Sequence, residues 1–408
     1  MIRRGGFASG ETVVSGRFRN QPDHKPFFTA GSDYPGMDPR IREHAEIIAN
    51  HSVDMEAGDN VVIDAHPVAE DLVVALHEVI GDIGANPVAT SQRTGTRNRR
   101  AYLKAAGADL ADDEFETPEH ERALIENTDV YIAIRASDNV TQTSDVDPEV
   151  SAAYRQAQRP ILEERLSKRW CLTQYPAPAN AQLAEMSTEA YENYVWDAVN
   201  KDWEGVREHQ QQMVEILDPA DEVRIVSGDT TDVTMSVEDN PTINDYGENN
   251  LPGGEVFTAP VPDSVEGEVL FDMPLYHQGR EITDAYLEFE DGEVVSHSAE
   301  KNEETLTEVL ETDDGARRLG ELGIGMNRDI DQFTYNMLFD EKMGDTVHMA
   351  VGRAYDDTVG EDNEQNDSAV HVDMIVDMSE DSFIEVDGEV VQRNGTFRFE
   401  DGFEESEV

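Results

Sequence analysis

The stretch NVVIDAHPVAEDLVVALHEVIGDIGANPVATSQ, residues 60–92, decides the fold class of the first half of the chain. It reads as a short apolar strand, an amphipathic helix and a second strand. The same alternation continues downstream, with a strand and a helix at 129–138 and 148–168 and a further strand at 169–176. Strands that alternate with helices in this way are typical of a parallel sheet flanked by helices. We therefore predict an α/β domain over residues 37–220.

The sequence after residue 220 changes to short strands and tight hairpins. In YLEFEDGEVVSHS (286–298) and SFIEVDGEVVQRNG (382–395) the dipeptide Asp-Gly separates two β-rich runs, which is the strongest short signal for a hairpin. One helical pattern, NEETLTEVLE, interrupts the strands. These features predict a mainly β (α+β) second domain over residues 221–408.

The first 36 residues differ in composition from everything after them. They hold five basic and three acidic residues, and the acidic composition begins only at Met37. The next two residues, Asp38 and Pro39, suit the N-cap and the first position of a helix. We predict that residues 1–36 are disordered or a misannotated extension, and that the biological start is Met37.

The charge balance indicates a habitat more than an activity. The 408 residues include 88 acidic and 31 basic ones, which gives a formal net charge of -57, and only six of the basic residues are lysine. Such a carboxylate-rich surface is typical of halophilic proteins, as in haloarchaea, because it keeps a protein hydrated in molar salt. It argues against nucleic acid and anionic membranes as partners. No apolar run approaches the ~20 residues of a membrane helix, so we predict a cytoplasmic protein.

Histidines are the better probe for a functional site, because the chain has only 11 and salt adaptation gives no reason for them. In HVDMIVDM the apolar residues alternate onto one strand face, which places His371 and Asp373 on the other. In GDTVHMAVGRAY the same alternation makes His348 project away from the apolar face, and Gly352 is placed to bend Tyr355 back toward the histidine. Together they form the ligand set of a divalent metal site, with zinc, cobalt or manganese acceptable. A solvated surface pair is the alternative for each fragment alone.

Four stretches carry a resemblance to a known family. They are NLPGGEVFTAP (250–260), LGELGIGMNRDI (319–330), LFDEKMGDTVHMAVGRAY (338–355) and NDSAVHVDMIVDM (366–378). In this order and spacing the chain resembles the aminopeptidase T and aminopeptidase S group of metallo-aminopeptidases. The likeness extends from Met37 to about residue 403, and the segment that begins at Met37 is similar to the usual start of such a protein.

The resemblance implies a role for each matching residue. The implied metal ligands are Glu255, Glu321, His348, His371 and Asp373. Tyr355 matches the active-site tyrosine, and Glu341 matches a further site residue whose role is less defined. The family often has Trp at the position of Val372, and the exchange leaves both members of the final His-x-Asp pair on one strand face.

The implied mechanism is metal-assisted hydrolysis of the first peptide bond. Two divalent ions about 3.5 to 4 Å apart share a carboxylate, Glu321 or Asp373, and lower the pKa of a bridging water to about 7. Glu321 or Glu341 moves the proton to the leaving amine, and Tyr355 donates to the developing oxyanion. The family also implies short peptides with a free N-terminus as substrates, and a homodimer that encloses a cavity.

Two other functions stay open at this stage. A non-catalytic peptide- or metal-binding protein would bind metal without turnover. A different metal hydrolase, such as a carboxypeptidase or a deacylase, would cleave N-terminally blocked peptides that an aminopeptidase spares.

Overall fold

The computed structural model describes residues 37–91, 95–107, 115–277 and 280–404. The segment 1–36, for which we predict disorder or misannotation, lies outside the described residues. Within the described part of the chain, no helix combines the length and the apolar character that crossing a bilayer requires.

The first part of the chain folds as alternating strands and helices. The predicted helix after Met37 is present, and Asp38 caps it by accepting a hydrogen bond from the backbone N–H of Arg40 at 2.9 Å. The elements in chain order are α1 (Pro39–Ile47), β1 (Asn60–Ala65), α2 (Glu70–Ile83), β2 (Asn86–Ser91), α3 (Gly95–Gly107), α4 (Glu119–Glu126), β3 (Val130–Arg135), α5 (Pro148–Leu166), β4 (Arg169–Gln174), α6 (Pro178–Leu183), α7 (Thr188–Val199) and α8 (Trp203–Leu217).

Strands β1 to β4 form a parallel sheet in the order β2-β1-β3-β4. On one face Ile63 and Ile132 pack in a core with Leu76 of α2. On the other face Val62 and Tyr131 pack with α4 and α5 residues. A parallel sheet requires such cover on both faces. The predicted α/β architecture is therefore confirmed.

The elements of the second part are mainly strands. In chain order they are β5 (Glu222–Ser227), β6 (Thr231–Ser236), β7 (Ile243–Asp245), β8 (Asn250–Leu251), β9 (Glu255–Thr258), β10 (Glu266–Phe271), β11 (Leu275–His277), β12 (Arg280–Ile282), β13 (Ala285–Glu290), β14 (Glu293–Ser298), α9 (Glu303–Leu310), β15 (Leu319–Gly325), α10 (Met337–Asp340), β16 (Thr346–Gly352), β17 (His371–Asp377), β18 (Ser382–Val386), β19 (Glu389–Arg393) and β20 (Thr396–Phe397).

These strands form two larger antiparallel sheets, ordered β14-β13-β10-β6-β5-β18-β19-β20 and β17-β16-β15-β9-β7, and a small β11-β12 ribbon. Both larger sheets contribute to one apolar core, in which Val233 and Leu287 of the first join Leu322 and Met349 of the second. The two Asp-Gly hairpins are present as β13-β14 and β18-β19. Their turn residues have positive φ, which a type I′ turn requires. The mainly β prediction is confirmed.

Two later segments return to the first core. Strand β8 pairs in parallel with β4, where Leu251 lies opposite Thr173. Residues around α10 pack in the same core (Ile330, Leu338, Phe339 and Met343). The domain boundary at residue 220 stays a prediction. Strand β8 and the residues around α10 nevertheless connect the two halves of the chain, on either side of the candidate site.

Candidate metal centre

The β17-β16-β15-β9 sheet presents all five predicted ligands from one face. Its other face is apolar, with Val256, Leu322, Met349 and Met374 in the second core. Because side chains alternate across a strand, the residues between these positions point the opposite way. The side chains on that opposite face include Glu255, Glu321, His348, His371 and Asp373.

Glu255, Glu321 and His348 form a first, fully buried group. The Nε2 atom of His348 lies 3.0 Å from Oε1 of Glu321 and 3.3 Å from Oε2 of Glu255. One ligand atom from each residue lies within 4.8 Å of the others. Strands β9, β15 and β16 thus converge three donor atoms on one point.

Glu321 also belongs to a second group, with His371 and Asp373. The Nε2 atom of His371 lies 3.3 Å from Oδ1 of Asp373 and 3.8 Å from Oε2 of Glu321. The Nδ1 atom of His371 lies 2.8 Å from the backbone carbonyl oxygen of Arg353. That carbonyl accepts the Nδ1 proton and so leaves Nε2 free as an electron-pair donor, which is the usual orientation of a metal-binding histidine.

Two glycines make room for this arrangement. Gly323 lies opposite His348 in the strand register, and a Cβ atom there would lie 2.0 Å from Cε1 of the imidazole. Gly254, directly before Glu255, has a φ of +118°, and its Cβ would lie 2.4 Å from Cβ of Asn327. Gly254 is therefore a close approach of the backbone to Asn327, directly before the first ligand.

The electrostatics of the site indicate charges held out of water. Burial raises the pKa of Glu321, against the opposing influence of His348. Burial alone would lower the pKa of His348, but the hydrogen bond to Glu321 and the charge of Glu255 raise it to about 9. Likewise the neighbouring Asp373 outweighs burial and raises the pKa of His371 to about 10. Both imidazoles thus lie in a strongly negative environment that favours a cation.

The donor set fits a divalent cation. Imidazole nitrogens and carboxylate oxygens are ligands that zinc, cobalt and manganese accept. The Oε2 atoms of Glu255 and Glu321 are buried and accept no hydrogen bond from the described residues. Buried carboxylate oxygens left in this way are unusual without a ligand, and both are turned toward a histidine.

The side chain of Lys342 places a positive charge beside the first group. Its ammonium is fully buried and lies 2.9 Å from Oε1 of Glu255 and 3.7 Å from Oδ2 of Asp245. It also contacts Oε1 of Glu341. These carboxylates raise the pKa of Lys342 well above its ordinary value, although burial alone would lower it. Lys342 therefore occupies one oxygen of Glu255 and leaves the other directed at His348.

Asp245 is a site residue that the sequence did not reveal. It lies opposite Glu255 in the β7-β9 register, and burial raises the pKa of its carboxyl to about 7 in spite of Lys342. In the sequence it is one of 88 acidic residues and lies in a strand of only three residues, so no pattern distinguishes it.

Glu341 and Tyr355 lie beside the two groups rather than within them. Glu341 is in neither set of possible ligands, and burial raises its pKa.

The ring of Tyr355 lies 4.8 Å from that of His371, between centroids. The strand bend at Gly352 therefore returns the phenol to His371, on the neighbouring strand, where sequence reasoning had aimed it at His348. Burial and the nearby carboxylates, Glu321 first among them, raise the pKa of Tyr355 well above its ordinary value, so the phenol stays protonated.

The comparisons with known proteins identify the family of the chain. Residues 37–397 match the family described as thermophilic metalloprotease (M29). Aminopeptidase 2 of Geobacillus stearothermophilus is 27% identical over 421 aligned positions, which cover 88% of this chain and 98% of the relative. Aminopeptidase T of Thermus aquaticus is 38% identical over 151 positions, which cover 34% of this chain and 36% of the relative.

Two solved structures share the fold. The wild-type AmpT of Thermus thermophilus has a TM-score of 0.77 at 24% identity, over 88% of this chain and 99% of that one. A dioxygenase for 2,5-dihydroxypyridine from Pseudomonas putida KT2440 has a TM-score of 0.55 at 13% identity, over 88% and 97%. Because the second is not a peptidase by name, the fold alone does not fix the chemistry.

The fold and the site together define a metal-dependent peptidase. The chain belongs to the thermophilic metalloprotease (M29) family, which covers nearly all of its described residues. The family resemblance seen in the sequence is therefore confirmed.

Proposed function

We propose that the protein releases N-terminal residues from short peptides, with two divalent ions held by Glu255, Glu321, His348, His371 and Asp373. The protein is a metal-dependent aminopeptidase, because its family covers residues 37–397 and a relative aligned over 98% of its own length is an aminopeptidase. The proposal adds the ligands, the number of ions and the substrate class.

One observation carries the assignment of two ions. Glu321 turns Oε1 toward His348 and Oε2 toward His371, so its two oxygens face two separate histidines. A carboxylate in this position suits a ligand shared by two cations. Zinc, cobalt and manganese are the proposed metals. Bound divalent ions would supply Lewis acidity for the peptide carbonyl and an acidified water at neutral pH.

We assign proton transfer to Glu341 rather than to Glu321. Both oxygens of Glu321 are directed at histidines, whereas Glu341 lies outside both ligand groups. Lys342 contacts Oε1 of Glu341 and fixes that carboxylate at the edge of the site. A carboxylate held there can take a proton from water and give it to the leaving amine.

Tyr355 is the proposed hydrogen-bond donor to the developing oxyanion. The Tyr355 residue is 47% exposed, its phenol is protonated, and its ring packs against His371. A fixed donor that meets charge only in the transition state lowers the barrier. The acidic residues beside it also suit the α-ammonium group of a peptide with a free N-terminus.

Several finer statements belong to the same proposal. The net charge of -57 and the scarcity of lysine support function at molar salt, in the cytoplasm of a halophile. They disfavour nucleic acid and anionic membranes as partners. A homodimer is the proposed assembly, on the family resemblance alone.

Hydrolysis of matched peptides tests the function. Free and N-acetylated Leu-Gly-Gly are incubated in high KCl, with EDTA and with metal added back. We expect cleavage of the free peptide only, loss with EDTA, and recovery with zinc, cobalt or manganese. Cleavage of the acetylated peptide would indicate a carboxypeptidase or deacylase, and metal binding without turnover would indicate a binding protein. Hydrolysis that survives chelation would contradict the metal mechanism.

A further inference from the structure

Arg135 is the last residue of β3, at the carboxyl edge of the parallel sheet. It lies opposite Gln174 of β4, and β4 in turn pairs with β8, which leads within four residues to Glu255. Strand β8 thus lies two strand spacings, about 10 Å, from β3, and the segment that follows β8 leads to the candidate metal centre. In open α/β sheets this edge is where ligands bind.

The connection between this edge and the candidate site is also visible in side chains. Gln174, next to Arg135 in the sheet, accepts a hydrogen bond from Asn336 at 3.4 Å. Asn336 is the N-cap of α10, and Glu341 follows the last residue of that helix. The segments that carry Arg135 and Glu341 are thus in contact, although they come from the two halves of the chain.

The guanidinium of Arg135 forms no salt bridge and no hydrogen bond with the residues that the structure describes, and Glu341 is the acidic residue whose charge acts on it. In a chain with 88 acidic residues this is notable, since Arg169 on the next strand pairs with Asp59 at 2.7 Å. The residue is open to solvent, yet burial lowers its pKa, against the charge of Glu341. The side chain of Arg135 is therefore accessible and lies within reach of the charge of Glu341. Arginine remains charged there and presents a planar fork of donors.

Such a fork matches a carboxylate, which it binds through two parallel hydrogen bonds. A short peptide has one carboxylate that does not depend on its side chains, the one at its C-terminus. We propose that Arg135 binds the C-terminal carboxylate of short peptide substrates, an inference that rests on the proposed aminopeptidase function.

The test compares three substrates that differ at the C-terminal end: Leu-Gly-Gly, Leu-Gly-Gly-amide and Leu-p-nitroanilide. We expect Arg135→Gln to lower kcat/KM on the free acid about 10- to 100-fold, mostly through KM, because a charged hydrogen-bonded pair is lost. The amide and the anilide, which lack the carboxylate, should change less than about twofold. Arg398→Gln, which removes a cation paired with Glu389 on the surface, should leave all three unchanged.

An equal loss on all three substrates, or no loss on the free acid, would overturn the proposal. Calorimetric binding of Leu-Gly-Gly and its amide to EDTA-treated protein makes the same comparison without turnover. If the wild type cleaves none of the substrates, the proposed function fails. The binding difference between free acid and amide, and its disappearance in Arg135→Gln, still decides the role of Arg135.

Discussion

The buried ammonium of Lys342 lies 2.9 Å from Oε1 of Glu255, in the interior of the candidate metal centre. The contact joins the segment directly after α10, a helix that packs in the first core, to β9 of the second sheet. One cation of the chain thus holds together residues from both parts of the fold.

Lys342→Met should destabilise the metal-free protein by about 3 to 5 kcal/mol, because it leaves buried carboxylates without their counterion. The measurement is denaturant unfolding in KCl with EDTA. Lys301→Met is the matched control, since that lysine pairs with Glu281 at the surface and should cost less than about 1 kcal/mol. Equal effects of the two substitutions would show that Lys342 does not hold the site together.

Gly323→Ala should abolish activity. The new methyl group would lie 2.0 Å from the His348 ring, so the imidazole must move, and a shift of about 1 Å can cost on the order of 100-fold in rate. Gly81→Ala is the control, because a Cβ there meets no atom within 4 Å and the residue lies inside α2. It should be neutral or stabilise by up to about 1 kcal/mol. A fully active Gly323→Ala enzyme would mean that activity does not depend on the position of the His348 imidazole.

His44 should make stability fall with acid. Its ring is buried against Thr173, and burial lowers its pKa to about 3. In the unfolded chain the ordinary value is about 6.5, so below that pH only the unfolded state binds the proton. The free energy of unfolding then decreases by about 1.4 kcal/mol per pH unit between about 6.5 and 3.

Below pH 6.5 the pH slope of unfolding in His44→Gln should be smaller than the wild-type slope, and the difference should approach that amount at about pH 5.5. His120→Gln changes an exposed histidine and should keep the wild-type slope. Identical slopes for the wild type and His44→Gln would refute the assignment.

Low salt should destabilise the protein. At a net charge of -57, self-repulsion acts over about 10 Å in 0.1 M salt but over only about 3 Å in 1 M salt. We expect the Tm in 0.1 M KCl to be about 10 °C or more below that in 3 M KCl, as for several kcal/mol in a protein of this size. Sucrose at matched osmolality strengthens burial without screening charge and should not restore the Tm. A Tm independent of KCl would contradict salt adaptation.

The sequence revealed features that are periodic or chemically rare. Strand and helix alternation predicts the parallel sheet, because each period places an apolar face toward a core. His348 and His371 could be found because histidine is scarce and their strands alternate cleanly. Asp-Gly predicts the two hairpins, since few residues accept positive φ.

The remaining features of the fold and the site depend on pairing between distant parts of the chain, which the sequence does not show. Strand β8 has two residues and no periodicity, yet it joins the first sheet across a gap of 75 residues after β4, which ends at Gln174 and is followed by Asn250 of β8. Asp245 takes its position from the pairing of β8 with the first sheet and from the β7-β9 register. In a chain with 88 acidic residues, nothing in the sequence distinguishes it from the others. Arg135 is unusual for forming no salt bridge with the residues that the structure describes, which no local pattern shows.

The metal content and activity of Glu321→Gln test the central claim most directly, because Glu321 lies between both histidines. Glu215→Gln, an exposed substitution on α8, is the control. After loading with zinc in KCl and gel filtration, the wild type and the control should retain two ions per chain and cleave Leu-Gly-Gly. Glu321→Gln should retain at most one ion and lose activity by more than about 100-fold. Retention of two ions and the full rate in Glu321→Gln would contradict the account.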